Sequence, residues 1–254
     1  MQTLKTVIKS RLKRVRGRGY RMLHPNKEHF HCPICEYSGP FLDANDPTGL
    51  RKHAMCPNCS ALERHRVLWL TIERLSQKND FSRMSLLHFA PEPELEHLFR
   101  QRFGRYASAD LNPRGVDHQV DLRKLPFPNA SFDVVVASHV LEHIKEDVLA
   151  LKNIQRILKP SGFAILQVPV IGATTVEYPA PNPQEWDHVR APGEDYFDRY
   201  QSIFSRVEKY RSSEFEAKYQ PFIYENRTRW PKAFPLRIPS KGSRHEDIVP
   251  VCYV

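Results

Sequence analysis

The chain has 254 residues, 41% apolar and 26% charged, with a mean hydropathy of −0.54. These proportions exclude a disordered chain, and the length suits one full domain plus an appendage. No apolar run approaches the ~18–20 residues of a membrane span, and no apolar block of a signal peptide opens the chain, so the cytoplasm is the expected compartment.

The net charge of +9 first suggests a nucleic-acid or anionic-surface partner, but it is unevenly placed. Residues 1–31 hold nine of the 38 Lys/Arg and one of the 29 acids, leaving the rest of the chain near neutrality at +1. Within this arm Leu4, Val7, Ile8, Leu12 and Val15 recur at helical spacing with cations on the other face, and Gly17 and Gly19 are expected to end the helix. Residues 1–21 are therefore a candidate surface for an anionic partner, either membrane or nucleic acid, which would place the protein peripherally at a membrane. The alternative is an arm packed on its own domain.

Four of the five cysteines form two C-x₂-C turns, Cys32–Cys35 and Cys56–Cys59, separated by 20 residues. Each turn aims two thiolates at one centre, and two turns complete a tetrahedral Zn²⁺ site with no open position, so a zinc there is structural. Expected ligands are Cys32, Cys35, Cys56 and Cys59, in a small zinc-ribbon-like module over 29–60, after a basic arm over 1–28. A helix follows directly, with apolar residues at 62, 68, 69, 72 and 75. Its first turn, Glu63-Arg64-His65-Arg66, reads as a solvated face or as the edge of a pocket.

From residue 85 strands and helices alternate: a strand at Ser85–Phe89, a helix at Glu94–Phe103, and strands at Tyr106–Asp110 and Val116–Val120. A β-branched strand at Phe132–Ser138 precedes a helix over Leu141–Leu158, a turn at Lys159–Gly162 and a strand at Phe163–Val168. Such alternation implies an α/β, doubly wound, mostly parallel sheet, whose ligands bind beyond the carboxyl ends of the strands. Asp110 ends the second strand, where a carboxylate accepts from ribose hydroxyls. Asp121 and Leu122 follow the third strand, where an adenine meets an acid and an apolar contact. His139 stands just past the fourth strand.

The stretch Ser131–Ile144 (SFDVVVASHVLEHI) followed by Ile157–Gly162 (ILKPSG) resembles the class I S-adenosylmethionine-dependent methyltransferases, within them the type 11 branch. The resemblance covers about 85–212 and implies a seven-stranded Rossmann-like sheet, S-adenosylmethionine as cofactor, and a methyltransferase domain over 61–254. A long proline-rich lid spans about 169–193 and an insertion about 219–246, with Ile248–Val254 as the last, antiparallel strand. Asp110-Leu111 resembles the family's ribose-binding position, and Asp121–Phe127 its adenine segment. Asp187-His-Val-Arg190 resembles the segment opening the helix before the sixth strand. A zinc module before such a domain resembles a subset of bacterial proteins.

One departure stands out. The family's first motif is a glycine-rich turn, whereas this chain reads Leu87-His-Phe-Ala-Pro-Glu-Pro-Glu94 and has no glycine between Gly49 and Gly104. Ala90 is small enough for backbone approach, Pro91 and Pro93 fix a rigid turn, and Glu92 is placed to pair with the ammonium of the cofactor. A dinucleotide needs bare amides for its pyrophosphate, so this turn argues against NAD; a decayed cofactor site is the competing reading. His139 is the expected general base by position and His188 the second candidate. The leading expectation is methyl transfer to a small-molecule or glycan-type acceptor. The alternatives are an RNA methyltransferase gripping its substrate with the arm and zinc module, or a non-catalytic zinc-bearing scaffold.

Overall fold

The computed structural model describes residues 16–46, 49–113, 115–226 and 244–254. The amphipathic stripe from Leu4 to Val15 and the basic-aromatic residues 227–243 lie outside them. In chain order the strands begin with β1 (Phe30–His31), β2 (Ser38–Gly39), β3 (Leu42–Asp46), β4 (Gly49–Met55) and β5 (Ser85–Phe89). They continue as β6 (Arg105–Asp110), β7 (His118–Gln119), β8 (Phe132–Ala137), β9 (Leu158–Ile165) and β10 (Val176–Asn182). The last are β11 (His188–Ala191), β12 (Arg206–Arg211), β13 (Ile223–Asn226), β14 (Arg244–His245) and β15 (Ile248–Tyr253). The helices are α1 (described over 16–23), α2 (Glu63–Leu75), α3 (Pro93–Arg102), α4 (Asp147–Ile157) and α5 (Phe197–Gln201). Among the described residues no helix is long and apolar enough to cross a membrane.

The chain divides into two compact units, with the boundary inside α2 after Ile72. The first holds the described residues up to Ile72 together with 211–226 and 244–247. Its main sheet runs β14-β13-β4-β3, all pairs antiparallel. Part of the expected 219–246 insertion thus supplies two strands to the cysteine-bearing unit, a division different from the expected 29–60 and 61–254. Gly17 and Gly19 do not end α1; they lie inside it. A Cβ on Gly17 would stand 3.2 Å from the Tyr37 ring and 3.3 Å from Asn58, so the glycine lets the helix pack closely there.

The polar run opening α2 is not a solvated face. Glu63, His65 and Arg66 are buried. Glu63 pairs with Arg51. Arg66 lies over the Phe41 ring and donates to the carbonyls of Ala54, Ala61 and Gln220 at 2.9 Å each. Guanidinium has five fixed donors, and here they satisfy backbone acceptors that burial has cut off from water.

The second unit is built on a seven-stranded sheet in the order β12-β15-β9-β8-β5-β6-β7. The pairs β5–β6, β5–β8, β6–β7 and β8–β9 are parallel, and β15 runs antiparallel to β9 with Val251 opposite Ile165. The apolar, β-branched run of β8 is buried where α4 covers it with Ala150, Leu151, Ile154 and Ile157, a stripe at helical spacing. The helix read as Leu141–Leu158 is shorter than expected: Leu141–His143 is a separate 3₁₀ turn and α4 starts at Asp147. Residues at that break, His143–Glu146, line the cavity.

Candidate functional site

Strand order reverses at β5, with β6 on one side and β8 on the other, and a cavity of about 630 Å³ opens beyond their carboxyl ends. This is the crevice where doubly wound sheets bind ligands, and its volume suits a molecule of cofactor size. Its walls include Phe89, Ala90, Asp110, Leu111, Asp121, Leu122 and His139. Further lining comes from Val140, His143, Ile144 and Glu146 on the β8 side and from Tyr178, Pro179, Ala180, Pro181 and Val189 above.

Ala90 sits on the turn after β5 with φ +46°, the left-handed conformation that glycine ordinarily supplies, and its amide donates to Ala109 at 2.8 Å. Alanine tolerates that conformation at about 1–2 kcal/mol, so the turn keeps its shape although the glycine is missing. Pro91 and Pro93 offer no N–H, so little remains there to hold a pyrophosphate. Glu92 is not a wall of the cavity, contrary to expectation: it stands at the N-cap of α3, and its charge acts on His88. His88 is fully buried, bonded through Nδ1 to the Tyr106 hydroxyl at 3.0 Å, and burial pushes its pKa down to about 4. It is therefore neutral and structural.

Asp110 ends β6 on the cavity wall and accepts from the Asn112 amide at 2.8 Å. Asp121 also lines the cavity, but both its oxygens face Arg123, which donates from Nε at 3.0 Å and from the outer guanidinium nitrogen at 2.7 Å. The bonds from Arg123 hold this carboxyl below its usual range. Arg123 also reaches Glu146 at 3.0 Å. A carboxylate so engaged is a poor acceptor for an incoming adenine, leaving Leu122 as the apolar part of that expectation.

Within the proline-rich segment expected as a lid at 169–193, β10 and β11 form an antiparallel hairpin, and its Tyr178–Pro181 and Val189 line the cavity. Trp186 and Asp187 both have positive φ, +53° and +61°, giving the left-handed corner before β11. Asp187–Arg190 therefore runs into a strand and does not open a helix. Arg190 is 1% exposed and donates to the carbonyls of Leu141, Ile144 and Lys145 at 2.9, 2.6 and 3.0 Å. It also pairs with Glu177 at 3.0 Å and with Asp147 at 3.4 Å. This one side chain joins the hairpin to the loop that carries His139–Ile144.

His139 has φ +55°, and its Nδ1 lies 3.3 Å from the Glu142 carboxylate. His188 is not on the cavity lining; its Nε2 lies 3.9 Å from the same carboxylate, and its ring packs edge-on against His143 with centroids 4.6 Å apart. Sequence reading gave Glu142, Arg190 and the Arg123–Glu146 bridge no role. For Glu142 a signal existed: positions 139, 142 and 143 follow the i, i+3, i+4 spacing that gathers side chains on one face.

In the first unit the four cysteines converge. The Sγ atoms of Cys32 and Cys59 are 3.6 Å apart, as are those of Cys35 and Cys56, and all four lie within 4.8 Å of one another. Tetrahedral zinc with Zn–S of about 2.3 Å sets its sulfurs about 3.8 Å apart. Both turns fold alike: the amide of Glu36 donates to Cys32 and that of Ser60 to Cys56, each at 2.9 Å, with φ +58° and +73°.

A family model described as "Methyltransferase domain" matches residues 88–166. Over 48 residues the chain is 40% identical to the ubiquinone/menaquinone biosynthesis C-methyltransferase of Coxiella burnetii, covering 19% of each protein. Over 58 residues it is 38% identical to the 27-O-demethylrifamycin SV methyltransferase of Amycolatopsis mediterranei, covering 23% of this chain and 21% of that one. The matches thus span about a fifth of these relatives. Among solved structures, an S-adenosylmethionine-dependent methyltransferase from Mesorhizobium loti is similar with a TM-score of 0.47 at 12% identity, covering 73% of this chain and 97% of that one. Another from Archaeoglobus fulgidus gives a TM-score of 0.41 at 14% identity, covering 57% and 72%. Residues 88–166 belong to the methyltransferase domain family, and the seven-stranded sheet around them has the Rossmann-like methyltransferase architecture.

Proposed function

We propose that the protein transfers a methyl group from S-adenosylmethionine to a small-molecule or glycan-type acceptor, with a structural zinc in its four-cysteine cluster. The observation that carries this reading is the cavity at the strand-order switch, bounded by the Ala90 turn, Asp110, Leu122 and His139 and covered by the β10–β11 hairpin. The donor set fits this cofactor better than a dinucleotide. A sulfonium nucleoside needs an acid for its ribose, an apolar slot for its base and no pyrophosphate cradle, and Asp110, Leu122 and the Pro91–Pro93 turn answer those needs.

When bound, S-adenosylmethionine supplies an electrophilic methyl already activated by its sulfonium. The chain's own part is positioning and exclusion of water. Asp110 would hold the ribose, and Tyr178 and Pro179 on the hairpin would close over the acceptor. His139 at the cavity wall would take the proton from an acceptor that still carries one near neutral pH. The hairpin favours a small acceptor, because Tyr178–Pro181 and Val189 line the cavity that a nucleotide in an RNA strand would have to enter. The two curated relatives named above, both named for small-molecule methylation, support the same class.

Calorimetric titration with S-adenosylmethionine tests the reading. Binding that Asp110→Ala weakens by tenfold or more is expected; no heat with the native protein would sink it.

A further inference from the structure

We propose that Glu142, His143 and His188 form a binding site for a divalent transition-metal ion beside the cavity, separate from the four-cysteine cluster. Donor atoms of these three residues lie within 4.8 Å of one another. Two imidazoles and one carboxylate make the donor set that suits first-row divalent ions and leaves coordination positions open. An ion about 2.1 Å from each donor needs them about 3.0–3.4 Å apart. Glu142 and His188, at 3.9 Å, would have to approach by about 0.5 Å, and the exposed His143 can rotate its side chain to meet the ion.

Burial supports the same conclusion: Glu142 is 0% exposed, so its carboxylate is held in place beside the two histidine-bearing segments. Among the groups facing it are the rings of His139 at 3.3 Å and His188 at 3.9 Å.

The ligand-bearing segments are also held in place. Glu142 and His143 lie on the 3₁₀ turn Leu141–His143, and His188 opens β11. Arg190, two residues on, donates to the carbonyls of Leu141 and Ile144, which flank Glu142 and His143. One buried guanidinium thus fixes the spacing between the two segments, the support a metal site requires. His139 would then orient the ligating carboxylate from the outer shell. Because His139 and His143 also line the cavity, an ion here would act as a Lewis acid toward an oxygen-bearing acceptor. That role, unlike the site itself, rests on the methyl-transfer reading.

The test is a titration of zinc-loaded, full-length protein with Mn²⁺, followed by the electron paramagnetic resonance signal of the free ion. Manganese prefers oxygen and nitrogen ligands and is the weakest of the series, so it leaves the thiolate cluster alone. One Mn²⁺ per chain is expected, bound about tenfold more weakly or worse in His143→Ala and in His188→Ala. His97→Ala, an exposed change on α3, should bind as the parent does. Binding of S-adenosylmethionine is measured on the same samples. Cofactor binding without Mn²⁺ uptake, or uptake indifferent to both substitutions, overturns the metal site alone. A parent protein that takes up Mn²⁺ but not the cofactor overturns the methyl-transfer reading and leaves the site standing. His143 is exposed, so its variant tests the site even where the His188 variant fails to fold.

Discussion

Replacing Arg190 by alanine should loosen the hairpin and destabilise the seven-stranded unit. The side chain is almost wholly buried and satisfies three carbonyls while pairing with Glu177 and Asp147. Asp147 keeps Arg199 and the Tyr196 hydroxyl, each at 2.6 Å, so its charge is not left alone. The Leu141 carbonyl likewise keeps the Ile144 amide at 3.1 Å, so the carbonyls of Ile144 and Lys145 are the acceptors most exposed to the loss. Breaking a buried ion pair typically costs about 3–5 kcal/mol, and each stranded buried acceptor about 1–3. Water entering the vacated space recovers part of that sum, so a net loss of about 3–5 kcal/mol is expected. With a urea slope of about 2 kcal/mol/M, the unfolding midpoint of this unit falls by about 1.5–2.5 M. Circular dichroism reads the midpoint, and hydrogen exchange at β10 and β11 reads the hairpin. Arg190→Lys should recover little, since one ammonium cannot reach three carbonyls and two carboxylates. A midpoint within 0.5 M of the parent, with unchanged exchange in β10–β11, would refute the reasoning.

Cys56→Ser should release the metal from the cysteine cluster, read by elemental analysis, and destabilise the unit that carries it; a metal-free parent of equal stability would show the cluster misread. His88 is neutral when folded, with its pKa lowered to about 4 from 6.5, so the unfolded chain takes up a proton first as pH falls. Its stabilising contribution is complete above pH 6.5 and declines towards pH 4, by about 3 kcal/mol at most. The stability–pH curve of His88→Gln should be flatter across that window, and a parallel curve would contradict the burial argument. Ala90→Gly should be neutral or stabilising by up to about 1 kcal/mol because it relieves a positive φ, whereas Ala90→Val should destabilise by more than that; thermal denaturation distinguishes the two.

The sheet was legible because its strands are short apolar runs separated by turn signals, and periodicity at that scale reports burial on both faces. The cavity followed from the same reading, since strand ends in a doubly wound sheet point to one crevice. What stayed hidden were side chains whose partners are distant in sequence. Nothing near Asp121 announces that Arg123 occupies both its oxygens, because the neighbouring sequence only says that an acid and a base are two residues apart. Glu92 looked like a cofactor contact because it lies in the right turn, yet it is the N-cap residue of α3, followed by Pro93, and is not among the cavity walls. The lid was read from its prolines, which are as compatible with an irregular loop as with a bulged edge hairpin.

Arg66 and Arg190 show why charge in a sequence is a poor guide to exposure. Both sit in polar runs, Glu-Arg-His-Arg and Asp-His-Val-Arg, that read as solvent faces or motif fragments. Both are buried, and both spend their donors chiefly on main-chain carbonyls. Loops and strand ends carry more orphan acceptors than donors once helices and ladders have formed, and arginine is the side chain with several donors in a fixed fork. Arg66 reaches Gln220, 154 residues away, and the Gln220 side chain returns a bond to the His53 carbonyl at 2.8 Å. That exchange ties 217–226 to the cysteine-bearing unit, which is why a segment read as an insertion in the main domain contributes its strands elsewhere. Arg190 does the same over 49 residues for the hairpin. In each case a long-range guanidinium sets which segments share a core, and only the folded chain shows which carbonyls it will find.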